Sequence, residues 1–290
     1  MKRLLICCGD TNDPSTHGGL SYYLLQAGMK NGLLHGGLNL NPYKLKPLGY
    51  IWNFIQLIKF GKAGGFQYSN IFNKLIFSQA NLSVEDDIHF LSHYPLLPPF
   101  PLQEKWKVDF YIDATTSQIF DFYGIGKRID SYFQSKILER EKQIYQKAGS
   151  IICRSKWAAN SVMEDYSINP KKVHVVPGGA NINVENQTSK DLSERIPSPS
   201  IKKPLKLGFL GKDWNRKGGP FLIQIIEELN SLGIPSVIRC IGPDSKDLPS
   251  HESIQNMGFI DKQNNLNAFI EEISTWHFGT LFSKAEAFGI

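Results

Sequence analysis

Apolar residues along this chain alternate between short continuous runs and longer stretches in which they recur at helical spacing. That alternation predicts strand followed by helix, repeated through both halves. In the first half the continuous runs are Lys2 to Cys8, Ile88 to Ser92, Phe110 to Ile112, Ser150 to Arg154 and Val173 to Val176. Helical spacing marks Gly19 to Leu34, Tyr50 to Phe60, Ile71 to Phe77, Ser131 to Lys147, and Lys156 to Tyr166 with Ser155 as its cap. The second half reads as strand Leu205 to Leu210, helix Pro220 to Leu232, strands Ser236 to Ile241 and Ile254 to Ile260, helix Asn265 to Ile273 and strand Gly279 to Phe282. Such an order implies an α/β protein with two doubly wound parallel sheets and crossover helices. Between them, residues 186–204 lose periodicity and become polar and proline-containing, so that stretch reads as a linker. The predicted domains are 1–185 and 205–290.

Composition narrows the class only slightly. At 290 residues, 41% hydrophobic and 20% charged, the chain has the make-up of a globular protein with room for two cores. No apolar run approaches the ~20 residues of a membrane span. Its four cysteines, Cys7, Cys8, Cys153 and Cys240, lie in or beside predicted strands without metal-ligand spacing. They read as reduced core residues, which implies a cytoplasmic protein without a resident metal. The net charge of +5 is unevenly placed, since no Asp or Glu occurs between Pro14 and Val84, where Lys30, Lys44, Lys46, Lys59, Lys62 and Lys74 all fall. Aromatics crowd the same stretch, including Tyr43, Tyr50, Trp52, Phe54, Phe60, Phe66, Phe72 and Phe77. Their spacing is that of core-facing positions with a solvated lysine rim. The alternative is a surface for anionic lipid or an anionic acceptor, which predicts vesicle binding weakened by salt and by charge reversal of Lys59, Lys62 and Lys74.

The segment GKDWNRKGG, Gly211 to Gly219, lies between a predicted strand and a predicted helix and places Lys212, Arg216 and Lys217 at one corner. Free amides and the positive end of the helix dipole make such a corner an anion site, and glycine permits close approach to the main chain. A solvated basic turn is the alternative. Gly18 and Gly19 open the first predicted helix in the same way.

Four segments together resemble one family, the retaining glycosyltransferases of family 4: Gly18-Gly19, ICRSKWAANSVMEDYSINPKKVHVVPGGA from Ile152 to Ala180, LGFLGKDWNRKGG, and FSKAEAFGI at the end. The resemblance implies the GT-B fold, two Rossmann-like domains facing a cleft. It also implies transfer of a sugar from a UDP- or GDP-sugar with retention of configuration, and no metal. On it, Lys217 is the lysine that binds the donor diphosphate. Lys212 stands where the family often has arginine, with Arg216 able to substitute. Glu286 is the first glutamate of an E-x7-E motif that contacts the donor sugar. Gly18 and Gly19 are the glycine loop near donor phosphate and acceptor, and Gly258 to Asp261, including Ile260, is the stretch where the base lies against the backbone. The motif's second glutamate would fall beyond Ile290, so the chain reads as a fragment of a longer protein with an incomplete second domain, inactive or unstable alone.

Many members of the family have a catalytic histidine after a middle strand of the first domain. Asp113 in YIDATTSQ and His93 in HFLSHYPLLPP are both candidates, and Asp113 could instead cap the following helix. Arg154, after another strand, would either face the donor or form a surface ion pair. The leading reading is an enzyme that acts on a saccharide or lipid-linked acceptor of polysaccharide biosynthesis, with the peripheral contact at the inner membrane face that the basic, aromatic stretch suggests. A sugar-nucleotide epimerase and a noncatalytic nucleotide-sugar-binding or scaffold protein are the other readings. A nucleic-acid partner fits poorly because the cations form no reading module, and NAD fits poorly because no GxGxxG follows the first strand.

Overall fold

Two compact units, Met1–Asn181 and Ile182–Gly289, make up the chain in a computed structural model that describes residues 1–83, 87–94, 96, 105–182 and 203–287. The segment read as a linker lies almost wholly outside the described residues, as do residues 288–290 of the closing motif.

The first unit is built on six parallel strands in the order β2-β1-β3-β4-β5-β6. These are β1 (Lys2–Ile6), β2 (Gly36–Gly37), β3 (Ile88–Ser92), β4 (Lys107–Ile112), β5 (Ile151–Cys153) and β6 (Val173–Val175). Helices α1 (Leu20–Lys30), α2 (Lys46–Phe60), α3 (Asn70–Phe77), α4 (Thr116–Phe122), α5 (Ser131–Lys147) and α6 (Lys156–Glu164) connect them. Strands buried on both faces need near-continuous apolar runs, and the fully buried Ile6, Phe90, Phe110 and Ile151 provide that in one core.

The second unit repeats the plan with four parallel strands in the order β10-β7-β8-β9. Here β7 is Leu205–Leu210, β8 Ser236–Ile241, β9 Ile254–Asn256 and β10 Phe278–Thr280, with helices α7 (Gly219–Ser231) and α8 (Leu266–Ile273). The Trp276 ring packs against β7 where Gly208 leaves room, since a Cβ there would meet its ring Cε3 at 1.7 Å. Gly208→Ala is therefore expected to destabilise this unit by at least about 1–3 kcal/mol, the usual cost of overpacking. The check is a lower urea midpoint with red-shifted tryptophan emission; an unchanged midpoint would mean that β7 tolerates the displacement of Trp276.

Several expectations need correction. The strand predicted to run to Ile260 ends at Asn256, because Gly258 takes φ +69° and its amide donates to Asn256 Oδ1 at 2.9 Å, turning the chain. Helix α4 is capped by Thr115, not Asp113: Thr115 Oγ1 accepts from Gln118 N at 3.3 Å while Gln118 Oε1 accepts from Thr115 N at 3.1 Å. The aromatic-rich stretch divides in two. Phe66, Phe72 and Phe77 pack on the core, whereas Tyr43, Tyr50, Phe54 and Phe60 are exposed. Helix α2 has no buried residue at all; its inward stripe carries Gly49, Trp52, Asn53 and Gln56, and its apolar side chains point outward.

One polar group organises the interior of the first unit. Glu141 of α5 is buried and accepts hydrogen bonds from Thr116 N (3.0 Å), Thr116 Oγ1 (2.8 Å), Tyr145 OH (2.9 Å) and Tyr166 OH. Burial pushes its carboxyl above the ordinary range, and those four donors pull it back only in part. The cysteines are free. Cys7, Cys153 and Cys240 are buried and Cys8 half-buried, and burial raises Cys7 to about 11 and the other three to about 12, which leaves them as thiols at neutral pH. Among the described residues, no helix is long and apolar enough to cross a membrane.

Candidate active site

In a doubly wound sheet, ligands bind beyond the carboxyl ends of the strands where the strand order reverses. In the second unit the chain moves outward from β7 to β9 and returns on the other side of β7 as β10, so the loops after β7 and β10 flank that point. Those two loops carry the predicted Arg216, Lys217 and Glu286, and the fold brings them together. Lys217 Nζ lies 2.9 Å from Glu286 Oε2, and Arg216 Nη1 lies 3.5 Å from the same oxygen and donates to Ala285 O at 2.8 Å. Ser283 Oγ donates to Glu286 Oε2 at 3.2 Å. Burial tends to raise the Glu286 pKa, but the bond and charge of Lys217, then Ser283 and Arg216, outweigh it and hold the carboxyl below its ordinary range. It is therefore an anion that accepts hydrogen bonds.

The loop that presents the cations is fixed by its own backbone. Asp213 Oδ1 accepts from Arg216 N at 2.9 Å, and Trp214, buried against β7, accepts from Gly219 N at 2.9 Å. Lys217 crosses directly over Gly211, where a Cβ would meet its Cδ at 2.2 Å. Gly211 at φ +149° thus serves both the turn and the passage of the lysine. Gly258 joins the same neighbourhood through main chain: its carbonyl accepts from Gly242 N at 2.9 Å, and Gly242 lies against the Gly211 backbone. Two predicted residues are directed elsewhere. Lys212 is exposed, with Nζ 5.0 Å from the centre of the Phe259 ring, and the Ile260 side chain packs into the cluster around Phe269 and Trp276, leaving only its backbone for a ligand.

In the first unit the reversal lies between β1 and β3. The loop after β1 holds His17 (φ 49°), Gly18 (φ 65°) and Gly19 (φ 89°) in consecutive left-handed conformations, which turns the chain into α1. Asn181 Nδ2 donates to Gly18 O at 3.0 Å and fixes the turn. His93, immediately after β3, packs edge-to-face on His17 with ring centroids 5.4 Å apart. Carbonyl oxygens can only accept, so the partners settle both tautomers: His93 Nδ1 donates to Tyr111 O at 2.8 Å and His17 Nε2 to Cys8 O at 3.2 Å. Burial lowers both pKa values; Asp113 and the two carbonyls oppose it without overcoming it. Two neutral imidazoles, each with one free ring nitrogen, therefore stand beside the half-buried Asp113.

Arg154 does not lie at the surface. It is buried, with its guanidinium over Gly178 and a hydrogen bond to the Tyr111 side chain. A groove of about 520 Å³ runs from His17 and Cys8 past Tyr94 to Tyr43, Tyr50 and Asn53 at α2. Sequence reasoning missed His17. Its position directly before the glycine pair at the end of the first strand's loop was the available signal. Among the described residues, no group of three His, Cys, Asp or Glu side chains converges as a metal site.

Two parallel-stranded Rossmann-like units, each with polar groups at its point of strand reversal, define the GT-B fold of glycosyltransferases. Three solved structures share it across nearly the whole chain. They are the lipopolysaccharide outer core galactosyltransferase WaaB in its apo form (10% identity, 99% of this chain and 76% of that one, TM-score 0.52), HepE of Anabaena with UDP and glucose (13%, 100% and 76%, 0.56) and α,α-trehalose 6-phosphate synthase of Burkholderia multivorans (13%, 100% and 78%, 0.56). At such identities the likeness is one of fold. No family model and no curated protein matches the sequence.

Proposed function

We propose that the protein is a glycosyltransferase that moves a sugar from a UDP- or GDP-sugar to a saccharide or lipid-linked acceptor on the cytoplasmic side, with retention of configuration. The observation that carries this reading is the convergence of Lys217, Arg216 and Glu286 beyond β7 and β10. A diphosphate that departs from a sugar takes the electron pair of the anomeric C–O bond. Fixed cations at that place stabilise the charge as it develops, without reorganisation. In this reading Lys217 and Arg216 hold the diphosphate and the ionised Glu286 accepts from donor-sugar hydroxyls. The backbone at Gly258 and Ile260 borders the base. Unit 1 supplies the acceptor side, where a neutral His93 or His17 beside Asp113 can accept a proton from a hydroxyl. Gly18 and Gly19 leave the α1 amides open to an anion.

A thermal-shift panel of UDP, GDP, ADP and NAD, each with EDTA and with magnesium, tests the donor reading. A ligand that binds only the folded state must raise the melting temperature. Stabilisation by UDP or GDP, unchanged by EDTA, is expected. No shift from either nucleotide in the folded chain, or a shift from NAD alone, would overturn it. Since HepE was solved with UDP and glucose, UDP is the first ligand to try.

A further inference from the structure

A helix at the surface of a globular protein normally turns its apolar stripe inward and its polar residues to water. Helix α2 does the reverse. Its inward positions Gly49, Trp52, Asn53 and Gln56 are small, polar or amphipathic, while Tyr50, Ile51, Phe54, Ile55, Leu57 and Ile58 all lie exposed, Tyr50 at 71%, Phe54 at 64% and Ile58 at 69%. At 100° per residue these six form one continuous outer face with no charged or polar residue in it except the Tyr50 hydroxyl. Lysines frame that face. Lys46 and Lys59 lie at its flanks and Lys44 and Lys62 just beyond the ends of the helix, all in a stretch of sequence without a single Asp or Glu.

We propose that the outer face of α2 is a docking surface for an anionic lipid bilayer. The helix would lie in the plane of the interface with its apolar side chains among the acyl chains and its lysines at the headgroups. Apolar area and cation attraction act together in this geometry, and cationic flanks around a charge-free apolar stripe are its sequence mark. A second copy of the chain is the other apolar partner available, and the charges argue against it. A two-fold contact through α2 would bring two sets of lysines together, with no carboxylate in the segment to pair them. Docking also has a use. Tyr50 and Asn53 of α2 line the groove that reaches His17, so a seated helix sets the groove's mouth at the lipid surface, where an amphiphilic acceptor would enter. This rests on the proposed function and narrows its acceptor class to lipid-borne molecules, but its test needs no donor and no turnover.

The test is co-sedimentation of the full chain with vesicles of phosphatidylcholine alone and with 30% phosphatidylglycerol added, a mole fraction of about one third chosen to give a strong surface potential, at low and at high salt. Two double variants accompany it, Phe54→Ser with Ile58→Ser and Lys59→Glu with Lys62→Glu, each confirmed folded by an unchanged melting temperature. Binding is expected only to the anionic vesicles, falling at least about tenfold with salt and at least about tenfold in each variant. Absence of binding at low salt would overturn the proposal. So would binding to both vesicle types that ignores the lysine variant. A concentration-dependent dimer in sedimentation velocity, abolished by Phe54→Ser with Ile58→Ser and unaccompanied by vesicle binding, would assign the face to self-association instead.

Discussion

Replacing Lys217 by alanine is expected to weaken binding of UDP or GDP by about 10- to 150-fold, the equivalent of one charge-assisted hydrogen bond of about 1.5–3 kcal/mol. The fold should remain, since Lys217 contributes to a surface corner rather than a core. Glu286→Gln separates the two members of the pair. In the free chain Lys217 is held by Glu286 at 2.9 Å, so an incoming diphosphate competes with a carboxylate for the same ammonium. Neutralising Glu286 removes that competitor and a nearby negative charge. Binding of the nucleoside diphosphate should therefore persist or tighten, while the preference for the sugar-bearing nucleotide over the bare diphosphate is lost. Calorimetric titration of both ligands into both variants measures this. Equal losses for the two ligands in Glu286→Gln would remove the glutamate from the sugar, and an unaltered Kd in Lys217→Ala would remove the lysine from the phosphate.

Glu141→Ala is expected to have the largest effect on stability, about 3–5 kcal/mol, because it leaves the Thr116 amide and the Tyr145 and Tyr166 hydroxyls buried without their acceptor and opens a cavity. For a unit the size of Met1–Asn181 that corresponds to a fall of roughly 6–20 °C in its melting temperature. Its pH dependence has a definite sign. The folded-state pKa of Glu141 is raised, so the folded chain holds the proton more tightly than the unfolded chain. The stability this adds is fully present below the unfolded value of about 4.5 and is lost as pH rises through the elevated folded value. Glu141→Gln cannot titrate. Denaturant unfolding of both proteins from pH 4 upward, over the ordinary carboxyl range and beyond, should give a difference that shifts in favour of the variant with rising pH. A constant difference would mean that the carboxyl titrates alike in both states.

Strands Ile88–Ser92, Leu205–Leu210 and Ser236–Ile241 and helix Ser131–Lys147 fall at the bounds their patterns predict, because each is a long apolar run or a periodic stretch with clear stops. Gly36–Gly37 offers no side-chain pattern, and Thr116–Phe122 is too short for periodicity to show; its cap Thr115 and partner Gln118 were the only local signs. Helix α2 misled for a different reason. Periodicity locates an apolar face but not what covers it, and on Lys46–Phe60 that face turns away from the core. The cations at Arg216 and Lys217 were readable from the corner itself. The pairing of Lys217 with Glu286 was not, since it depends on β10 lying beside β7. Nothing in the sequence of Ser131–Lys147 sets Glu141 apart from the other charges of that helix; only the side chains that converge on it reveal its burial.

That adjacency of β7 and β10 also governs how the second unit is made. Strand β7 pairs on one edge with β8, its neighbour in sequence, and on the other with Phe278–Thr280, far later in the chain. Closing so long a chain segment delays folding, and an unpaired central edge is where nascent chains associate wrongly. Lys217 and Glu286 stand 69 residues apart. The carboxylate therefore meets its lysine through the β7–β10 pairing, and the ion pair reports whether that edge of the sheet has closed.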